Sequence, residues 1–338
     1  MTGQGRSLWA AYRLRWMRRR LMWRAVRARG GLAPVVDRTR AIGPGDIVLF
    51  ACVRNEALRL PHFLTHYRRL GVRHFVMVDN ASTDGTADLL SAAPDVSFWH
   101  AAGSYRGSRY GMDWLTGLMA RHGSGRWCVV ADADELLVYP DCDTTDLPGL
   151  AARLQAAGQW ALPALMLDLY PRGAVSAAEV APGEDPVAAA PWFDAGSYRQ
   201  RRQWPLGNAW VQGGPRARAF YVDAPDRAPT LNKLPFVRWH WRHAWVASTH
   251  VVLPPRLNRV WPDTGERRIT GVLLHTKFLA DAPARAAEER GRGEHFAQPP
   301  LHARYYEEVA GDPVLWTQTS VRFEGWRQLV ELGVMSDG

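Results

Sequence analysis

The sequence predicts an α/β protein with a mixed, mostly parallel sheet flanked by helices, a basic N-terminal helix and a helical C-terminal tail. Two observations lead to this prediction. Between residues 47 and 140, short apolar runs rich in β-branched residues alternate with segments whose apolar residues recur at helical spacing. Polar residues follow the apolar runs directly, as they do where the carboxyl ends of parallel strands line a ligand crevice.

The arm and linker, residues 1–45, come first in the chain. Trp9, Trp16 and Trp23 recur every seven residues and therefore share one side of a helix, which arginines surround. Residues 6–29 suit an anionic membrane surface, which would make the protein peripheral on the inner face of a membrane. The alternatives are a solvated helix and a tryptophan side that packs on the main domain. Residues 30–45 are predicted to be a linker because glycine and proline punctuate them.

The main domain is predicted over residues 46–282, and its elements follow from local patterns. Strands are expected over 47–53, 74–78 and 95–100 and from residue 127, with helices over 60–70, 86–92 and 105–121. A helix over 147–157 and a strand over 160–170 should follow. Residues 171–198 are rich in Ala, Pro and Gly and resemble a lid, a binding loop or disorder. Further strands are expected over 217–222, 236–239 and 271–277, before a helical extension over 283–338.

The composition indicates which kind of partner the protein binds and in which cellular compartment it is expected. The net charge of +9 over 338 residues indicates an anionic partner, and no nucleic acid is expected because no recognised nucleic-acid-binding fold accompanies the charge. Cys52, Cys128 and Cys142 lack metal-ligand spacing and are predicted to be reduced, in a cytoplasmic protein. No apolar run approaches the length of a membrane span, and the N-terminus lacks the apolar segment of a secretory signal.

An acidic group follows the buried run that begins at Trp127. In an extended chain Asp132 and Asp134 would point the same way, because side chains alternate with a period of two. Two hard oxygen donors at the end of a strand suit Mg²⁺ or Mn²⁺. The sequence therefore predicts a metal and diphosphate site here, with an acidic surface loop as the alternative.

Several motifs now stand in a fixed order, and together they resemble a known family. Arg54-Asn55-Glu56 follows the first strand, residues 78–86 (Val-Asp-Asn-Ala-Ser-Thr-Asp-Gly-Thr) follow the second, and Asp132-Ala133-Asp134-Glu135 follow a later one. Residues 60–63, 66–68, 232–235, 248–250 and 273–278 extend the likeness. Over about residues 46–280 the chain resembles the glycosyltransferases of family two, in the bacterial branch with an aspartate-any-aspartate-glutamate motif.

The resemblance implies a GT-A fold, a nucleotide-sugar donor, a divalent cation (Mn²⁺ or Mg²⁺) and a glycan or glycolipid acceptor. Sugar transfer to a hydroxyl, with inversion, in surface polysaccharide or glycolipid synthesis is the implied activity. Asp132 and Asp134 would be the metal-motif aspartates, with His250 or His275 as the late histidine. The nucleotide would be bound by Arg54, Asn55, Glu56, Asp79, Asn80, Asp132 and Lys277, the last facing the diphosphate. Candidates for the catalytic base are Asp168, Glu135 and Asp194.

Other interpretations remain for several of these residues and for the activity. Asp84 is expected to shape a turn or cap a helix, while His250 fits a surface residue, His275 a core histidine and Lys233 an ordinary surface charge. A nucleotidyltransferase on a similar fold ranks lower, because such enzymes use a glycine-rich basic loop and Arg54-Asn55-Glu56 has no glycine. A non-catalytic protein that binds a membrane or polyanion is the third alternative, and the intact acidic motif argues against it.

Overall fold

The computed structural model describes residues 3–263, 266–292 and 299–338, with the side chains of residues 3–7 and 299–302 left aside. The strands, numbered along the chain, are β1 (Leu32–Val36), β2 (Ile47–Val53), β3 (Val72–Asp79), β4 (Val96–Ala101), β5 (Trp127–Val130), β6 (Glu135–Val138), β7 (Ala161–Asp168), β8 (Trp192–Phe193), β9 (Arg199–Gln203), β10 (Asn208–Gln212), β11 (Asn232–Arg238), β12 (Ala244–Ala247), β13 (Val251–Leu253), β14 (Gly271–His275) and β15 (Val321–Arg322). The helices are α1 (Gly3–Ala28), α2 (Leu60–Arg69), α3 (Thr86–Ala92), α4 (Met112–His122), α5 (Leu147–Ala156), α6 (Pro186–Ala189), α7 (Gly214–Phe220), α8 (Ala282–Arg292), α9 (Pro299–Ala310) and α10 (Trp326–Glu331).

A nine-stranded mixed sheet forms the centre of the molecule, in the order β1-β4-β3-β2-β5-β11-β7-β14-β6. The strands β4, β3, β2 and β5 are parallel neighbours, and β7 and β14 form one more parallel pair. The remaining neighbours pair antiparallel. The predicted fold class, a mixed sheet flanked by helices, is confirmed, and the parallel pairing is concentrated in the N-terminal half.

Side chains of the parallel strands point alternately to the two faces of the sheet, and each face packs in its own hydrophobic core. Val48 and Phe50 of β2 pack in the core that includes residues of α4. Leu49 and Ala51 point the other way, into the core that includes residues of α2 and α5. A strand that is buried on both faces has a continuous run of apolar residues, and this is why these strands could be predicted from the sequence.

Helix α1 packs on the sheet's α4 side through one face only. Leu14 and Leu21 are buried against β12 and β13, and a Cβ atom at Gly117 of α4 would lie 2.9 Å from the Ala25 carbonyl oxygen. A residue larger than glycine at position 117 would therefore push the two helices apart. The tryptophans are on the opposite, exposed face, so the alternative in which they pack on the main domain is wrong.

Three local predictions are wrong, each for an identifiable reason. Residues 217–222 end in aromatic and β-branched residues that favour a strand, but most of the segment belongs to helix α7, which begins at Gly214 with Pro215 in its first turn. The predicted linker contains β1, which pairs with β4 at the sheet edge. The helix expected from residue 105 begins at Met112, because Arg109, Tyr110 and Gly111 all have positive φ.

Other predictions can be compared directly with the structure. Strand β2 and helix α3 have the predicted bounds, and Cys52, Cys128 and Cys142 are free cysteines. Within residues 171–198 lie the short elements α6 and β8. None of the helices in the described ranges is long and apolar enough to cross a membrane. The proposed domain limits at residues 45 and 282 stay predictions.

The buried histidine His66 of α2 makes stability depend on pH. Burial lowers the pKa of His66 to about 3, and its ring lies within hydrogen-bond distance of the Leu137 carbonyl oxygen, at 3.0 Å. Between that value and the unfolded pKa of about 6.5, the unfolded chain binds the extra proton and the folded chain does not. Stability is therefore lost as pH falls through this window, by up to about 1.4 kcal/mol per pH unit for this residue.

We expect the difference in unfolding free energy between the wild type and His66→Gln to shrink when pH falls from about 7 to about 5. Urea titrations at both pH values measure it. The exposed His240 provides the matched control, since His240→Gln should track the wild type at both pH values. An unchanged gap between the wild type and His66→Gln would contradict the assignment.

Candidate active site

The register of the sheet places polar residues in two rows along its carboxyl edge. In the N-terminal half Val53 of β2 pairs with Asp79 of β3, and Asp79 pairs with His100 of β4. In the other half Glu135 of β6 pairs with His275 of β14, and His275 pairs with Asp168 of β7. Residues far apart in sequence are thus neighbours, because β7 and β14 end at this edge and the antiparallel β6 begins there.

The acidic motif lies in a turn between β5 and β6 rather than on a continuous strand. The Glu135 amide donates to the Asp132 carbonyl oxygen at 3.0 Å, which closes the turn. The expectation that Asp132 and Asp134 point the same way along an extended chain is therefore wrong. Asp132 is 43% exposed and contacts Lys233, whereas Asp134 is 22% exposed and faces His275.

Asp134 begins a chain of charged contacts that leads into the core. Its Oδ2 lies 3.1 Å from His275 Nε2, and His275 Nδ1 lies 2.6 Å from Asp168 Oδ1. Arg216 Nη2 donates to the same Asp168 oxygen at 2.6 Å. The Asp168 side chain is fully buried and the His275 and Arg216 side chains nearly so, hence each charge depends on its neighbour.

The protonation states in this chain follow from those contacts. Burial opposes the charged form of Asp134, but the facing His275 outweighs burial and holds the pKa of Asp134 well below its ordinary value. Burial also opposes the charged form of His275, yet Asp134 and Asp168 raise its pKa. In Asp168, Arg216 and then His275 overcome burial and lower the pKa. Because Asp168 is a carboxylate, His275 Nδ1–H donates to it, and only Nε2 is directed at Asp134.

Lys233 connects the other two carboxylates of the acidic motif. Its Nζ lies 2.8 Å from Glu135 Oε1 and 3.3 Å from Asp132 Oδ2, and the residue is 4% exposed. The interpretation of Lys233 as ordinary surface charge is wrong, because β11 places it beneath the acidic turn. Burial raises the pKa of Glu135 to about 7, and Lys233 limits that rise.

Arg54, Asn55 and Glu56 join the loop after β2 to the loop after β3. Arg54 Nη1 donates to the Asn80 and Ala81 carbonyl oxygens, both at 2.9 Å. Asn55 Oδ1 accepts from the Thr83 amide at 2.8 Å, and the Glu56 amide donates to Thr86 Oγ1. Asn80 Nδ2 continues the network to the Ala101 carbonyl oxygen after β4. These residues shape the edge where the resemblance expects a nucleotide.

Asp84 has the structural role that was expected of it. Its Oδ1 accepts from the Thr86 amide and hydroxyl, and its Oδ2 accepts from the Ala57 amide at 2.9 Å.

Asp79 accepts from the Ser82 hydroxyl, with His100 Nδ1 at 3.6 Å. Burial raises the pKa of the Cys52 thiol, and the charges of Asp132 and Asp79 add to the rise. Strand β5, which the acidic turn follows, pairs with β2. The acidic turn therefore lies beside the ends of β2 and β3.

Helix α8 is fastened to the first motif through ion pairs that the sequence did not indicate. Arg285 of α8 donates to both carboxylate oxygens of Glu56, with one contact at 3.1 Å. Arg59 binds Asp281 with both terminal nitrogens, at 2.7 and 2.6 Å. The helical extension thus contributes to the edge of the site instead of lying apart from it.

The two late histidines differ in position. His275 faces Asp134, whereas His250 Nδ1 is within hydrogen-bond distance of the Asn232 carbonyl oxygen, and burial followed by Lys233 lowers its pKa to about 3. The structure therefore brings His275, not His250, into contact with the acidic motif. Lys277 lies over the Tyr305 ring at 5.5 Å, and burial together with Arg216 lowers its pKa to about 8.

Each of the three carboxylates predicted as catalytic base is paired with a cation. Asp168 pairs with Arg216, Glu135 with Lys233 and Asp194 with Arg218, whose Nε lies 2.7 Å from Asp194 Oδ2. Asp168 orients His275, and the side chains of Asp168 and Glu135 are both buried, at 0% and 1% exposure, so the role of each candidate as catalytic base stays a prediction. Only Glu135 belongs to the acidic turn itself.

The donor atoms at Asp134 and His275 fit one divalent cation held partly by substrate. No group of three or more His, Cys, Asp or Glu that could hold a metal occurs in the described part of the chain. A cation bound through only one or two protein ligands completes its shell with phosphate oxygens and water. A metal-ligating histidine is usually supported by a carboxylate that accepts a hydrogen bond from its second ring nitrogen, as Asp168 accepts from His275 Nδ1 here. An imidazole donor favours Mn²⁺ over Mg²⁺.

The comparisons with known proteins give limited information. No protein-family model matches the chain, and no curated protein matches its sequence. Similar solved structures include a 4-diphosphocytidyl-2C-methyl-D-erythritol synthase (19% identity, 39% of this chain and 65% of that one, TM-score 0.26). Others are a UTP-bound UGPase from Acinetobacter baumannii (10% identity, 78% and 99%, TM-score 0.31) and a putative glucose-1-phosphate thymidylyltransferase from Bacillus anthracis in complex with sucrose (10%, 84% and 88%, 0.29).

These names agree better with the nucleotidyltransferase alternative than with glycosyl transfer, and membership of glycosyltransferase family two is not confirmed. TM-scores of 0.26 to 0.31 are too low for the likeness to support an argument about fold or activity. The chain also spans less than two thirds of the synthase's length. The assignment of an activity therefore depends on the site.

Removing Lys233 tests the buried charge cluster. We expect Lys233→Met to lower the unfolding free energy by about 3 kcal/mol at mildly alkaline pH, because Glu135 is left buried and unpaired. The double variant Lys233→Met/Glu135→Gln should recover most of that loss. Urea denaturation of the variants measures both effects. As control, Arg304→Met breaks the exposed pair with Asp223 and should leave the unfolding free energy close to that of the wild type. Additive losses in the double variant would contradict the pairing.

Proposed function

We propose that the chain is a transferase that uses a nucleotide-sugar donor, binds the donor's diphosphate with a divalent cation at Asp134 and His275, and moves the sugar to a hydroxyl. The observation that supports this is the Asp134–His275 pair, oriented by Asp168 at the carboxyl edge of the sheet. In open α/β sheets ligands bind outside the carboxyl ends of the strands. The acceptor class, a glycan or glycolipid, comes from the family resemblance.

The positions of the surrounding residues suggest how the donor lies. Arg54, Asn55 and Asp79 frame the ends of β2 and β3, where the nucleoside would sit. Asp132, on the exposed side of the turn, lies between that edge and Asp134. Lys277 is close enough to Asp134 for their charges to interact, and it can face the diphosphate. The order along the edge is thus nucleoside, diphosphate, sugar.

Sugar transfer would then proceed by substitution at the anomeric carbon. The acceptor oxygen forms a bond to that carbon while the bond to the diphosphate oxygen breaks, so negative charge grows on the leaving group. A bound cation would supply charge stabilisation there. Lys277 adds positive charge at the same place, and Asp168 keeps His275 Nε2 directed at the site. Glu135, with a pKa near 7, is the candidate in this turn for taking the acceptor proton.

Nucleotidyl transfer is the second candidate, because a cation at the carboxyl edge of the sheet would serve a nucleoside triphosphate as well as a nucleotide sugar. The two reactions leave different products. A glycosyltransferase converts a nucleotide sugar to a nucleoside diphosphate, whereas a nucleotidyltransferase joins a nucleoside triphosphate to a sugar phosphate and releases pyrophosphate. The loop that begins with Arg54-Asn55-Glu56 has no glycine and is bonded to the loop after β3, unlike a glycine-rich phosphate loop.

Product analysis separates the two candidates. A panel of nucleotide sugars with Mn²⁺ should yield nucleoside diphosphate, while nucleoside triphosphates with sugar 1-phosphates should yield no pyrophosphate. Chromatography of the nucleotides and a coupled pyrophosphate assay measure the two products. Pyrophosphate formation without donor turnover would replace glycosyl transfer with nucleotidyl transfer.

Asp134→Asn is expected to reduce metal-dependent donor turnover by about a hundredfold or more while the protein stays folded, because the amide cannot bind the cation as a carboxylate does. Steady-state turnover and circular dichroism measure activity and fold. Asp223→Asn, at a side chain 80% exposed, is the matched control and should keep wild-type turnover. Full activity in Asp134→Asn would count directly against the site.

A further inference from the structure

Helix α1 presents an outward aromatic face, defined here as Trp9, Tyr12, Trp16 and Trp23. These side chains are 62%, 51%, 51% and 59% exposed, although tryptophan is normally well buried. The rings already form a ladder: Trp9 stacks on Tyr12 at 5.7 Å, and Tyr12 meets Trp16 edge-on at 6.2 Å. The rings of Trp9, Tyr12 and Trp16 therefore form one continuous exposed surface.

Positive charge surrounds the aromatic face, and the helix has no acid to balance it. Helix α1 contains no Asp or Glu. Arg19 lies over the Trp16 ring at 5.2 Å, and Arg27 lies over the Trp23 ring at 4.6 Å. The exposed Leu8 and Val26 add aliphatic area beside the rings. An amphipathic helix with Trp, Leu and Val among arginines is suited to lie in the interface of an anionic bilayer.

A groove beside α1 contains three arginines among mostly apolar lining residues. Its volume is about 280 Å³, and its lining includes Arg15 and Arg18 of α1, Trp204 and Arg259. Burial, followed by the nearby Arg242 and Arg15, lowers the pKa of Arg18, which means that the cations here are close enough to repel one another. Such a cluster is stabilised when phosphate groups neutralise it.

The opposite face of α1 fixes this surface relative to the active site. Arg24 donates to Asp113 at 2.9 Å and to the Gly107 carbonyl oxygen at 3.0 Å. Gly107 belongs to the loop after β4, the same loop whose start, Ala101 and Gly103, accepts from Asn80. The helix is therefore tied to the loop that borders the nucleotide edge of the site.

We propose that the aromatic face of α1 and its arginines form a docking surface for a bilayer containing anionic phospholipids. A second copy of the chain is a poorer occupant, because a two-fold contact through this face would set arginines against arginines. Docking would hold the carboxyl edge of the sheet near lipid head groups. The corollary that the acceptor is borne by a lipid depends on the proposed function, whereas membrane docking does not.

Vesicle sedimentation with the full chain tests the proposal. The wild type should bind vesicles of phosphatidylcholine with about 30% phosphatidylglycerol, should not bind phosphatidylcholine alone, and should be released by salt. The triple variant Trp9→Ser/Trp16→Ser/Trp23→Ser should bind about tenfold more weakly or worse. Trp160→Ser is the matched control, since Trp160 is 44% exposed outside this face, and it should bind as the wild type does.

Several outcomes would overturn the proposal. Absence of binding to anionic vesicles, or equal binding by the triple variant, would do so. So would a dimer or an RNA complex that the triple variant loses while vesicle binding is absent. Turnover of a soluble donor should be the same in the triple variant and the wild type. If donor turnover failed in the wild type while vesicle binding survived, the proposed function would fall and this surface would stand.

Discussion

The contact between Asp134 and His275 is the interaction on which the site depends. A carboxylate and an imidazole at 3.1 Å, both largely removed from water, require further charges to hold them, and Asp168 and Arg216 provide these. With Nδ1 donating to Asp168, the remaining ring nitrogen is available either to a proton or to a cation. Under the proposed function, the pair would neutralise itself without a ligand and would bind a metal with its diphosphate when a donor binds.

The sheet explains how residues from three distant segments meet. Strands β6, β14 and β7 are adjacent, and their register sets Glu135, His275 and Asp168 side by side. Ion pairs connect other elements to this edge. Lys233 of β11 pairs with Glu135, and Arg285 of α8 pairs with Glu56. The C-terminal extension and the sheet thus form one charged framework around the carboxyl edge.

Sequence patterns predicted the parts of the structure that depend on local order. The bounds of β2 and α3 followed from apolar runs and spacing, and the acidic motif was recognisable at the end of a buried strand. Arg216 and Arg285 were missed because their partners lie 48 and 229 residues away, and an isolated arginine has no distinctive spacing. The prediction for residues 217–222 was wrong because their aromatic and β-branched residues favour a strand, while Pro215 and tertiary packing favour a helix. The choice between His250 and His275 required the register of β14.

Calorimetric titration of a nucleoside diphosphate tests the central claim most directly. We predict that Mn²⁺ tightens nucleoside diphosphate binding to the wild type by about tenfold or more. His275→Gln should abolish this effect of Mn²⁺ on the affinity without unfolding the protein. Equal affinity with and without Mn²⁺ in the wild type, or an undiminished effect of Mn²⁺ in His275→Gln, would contradict it.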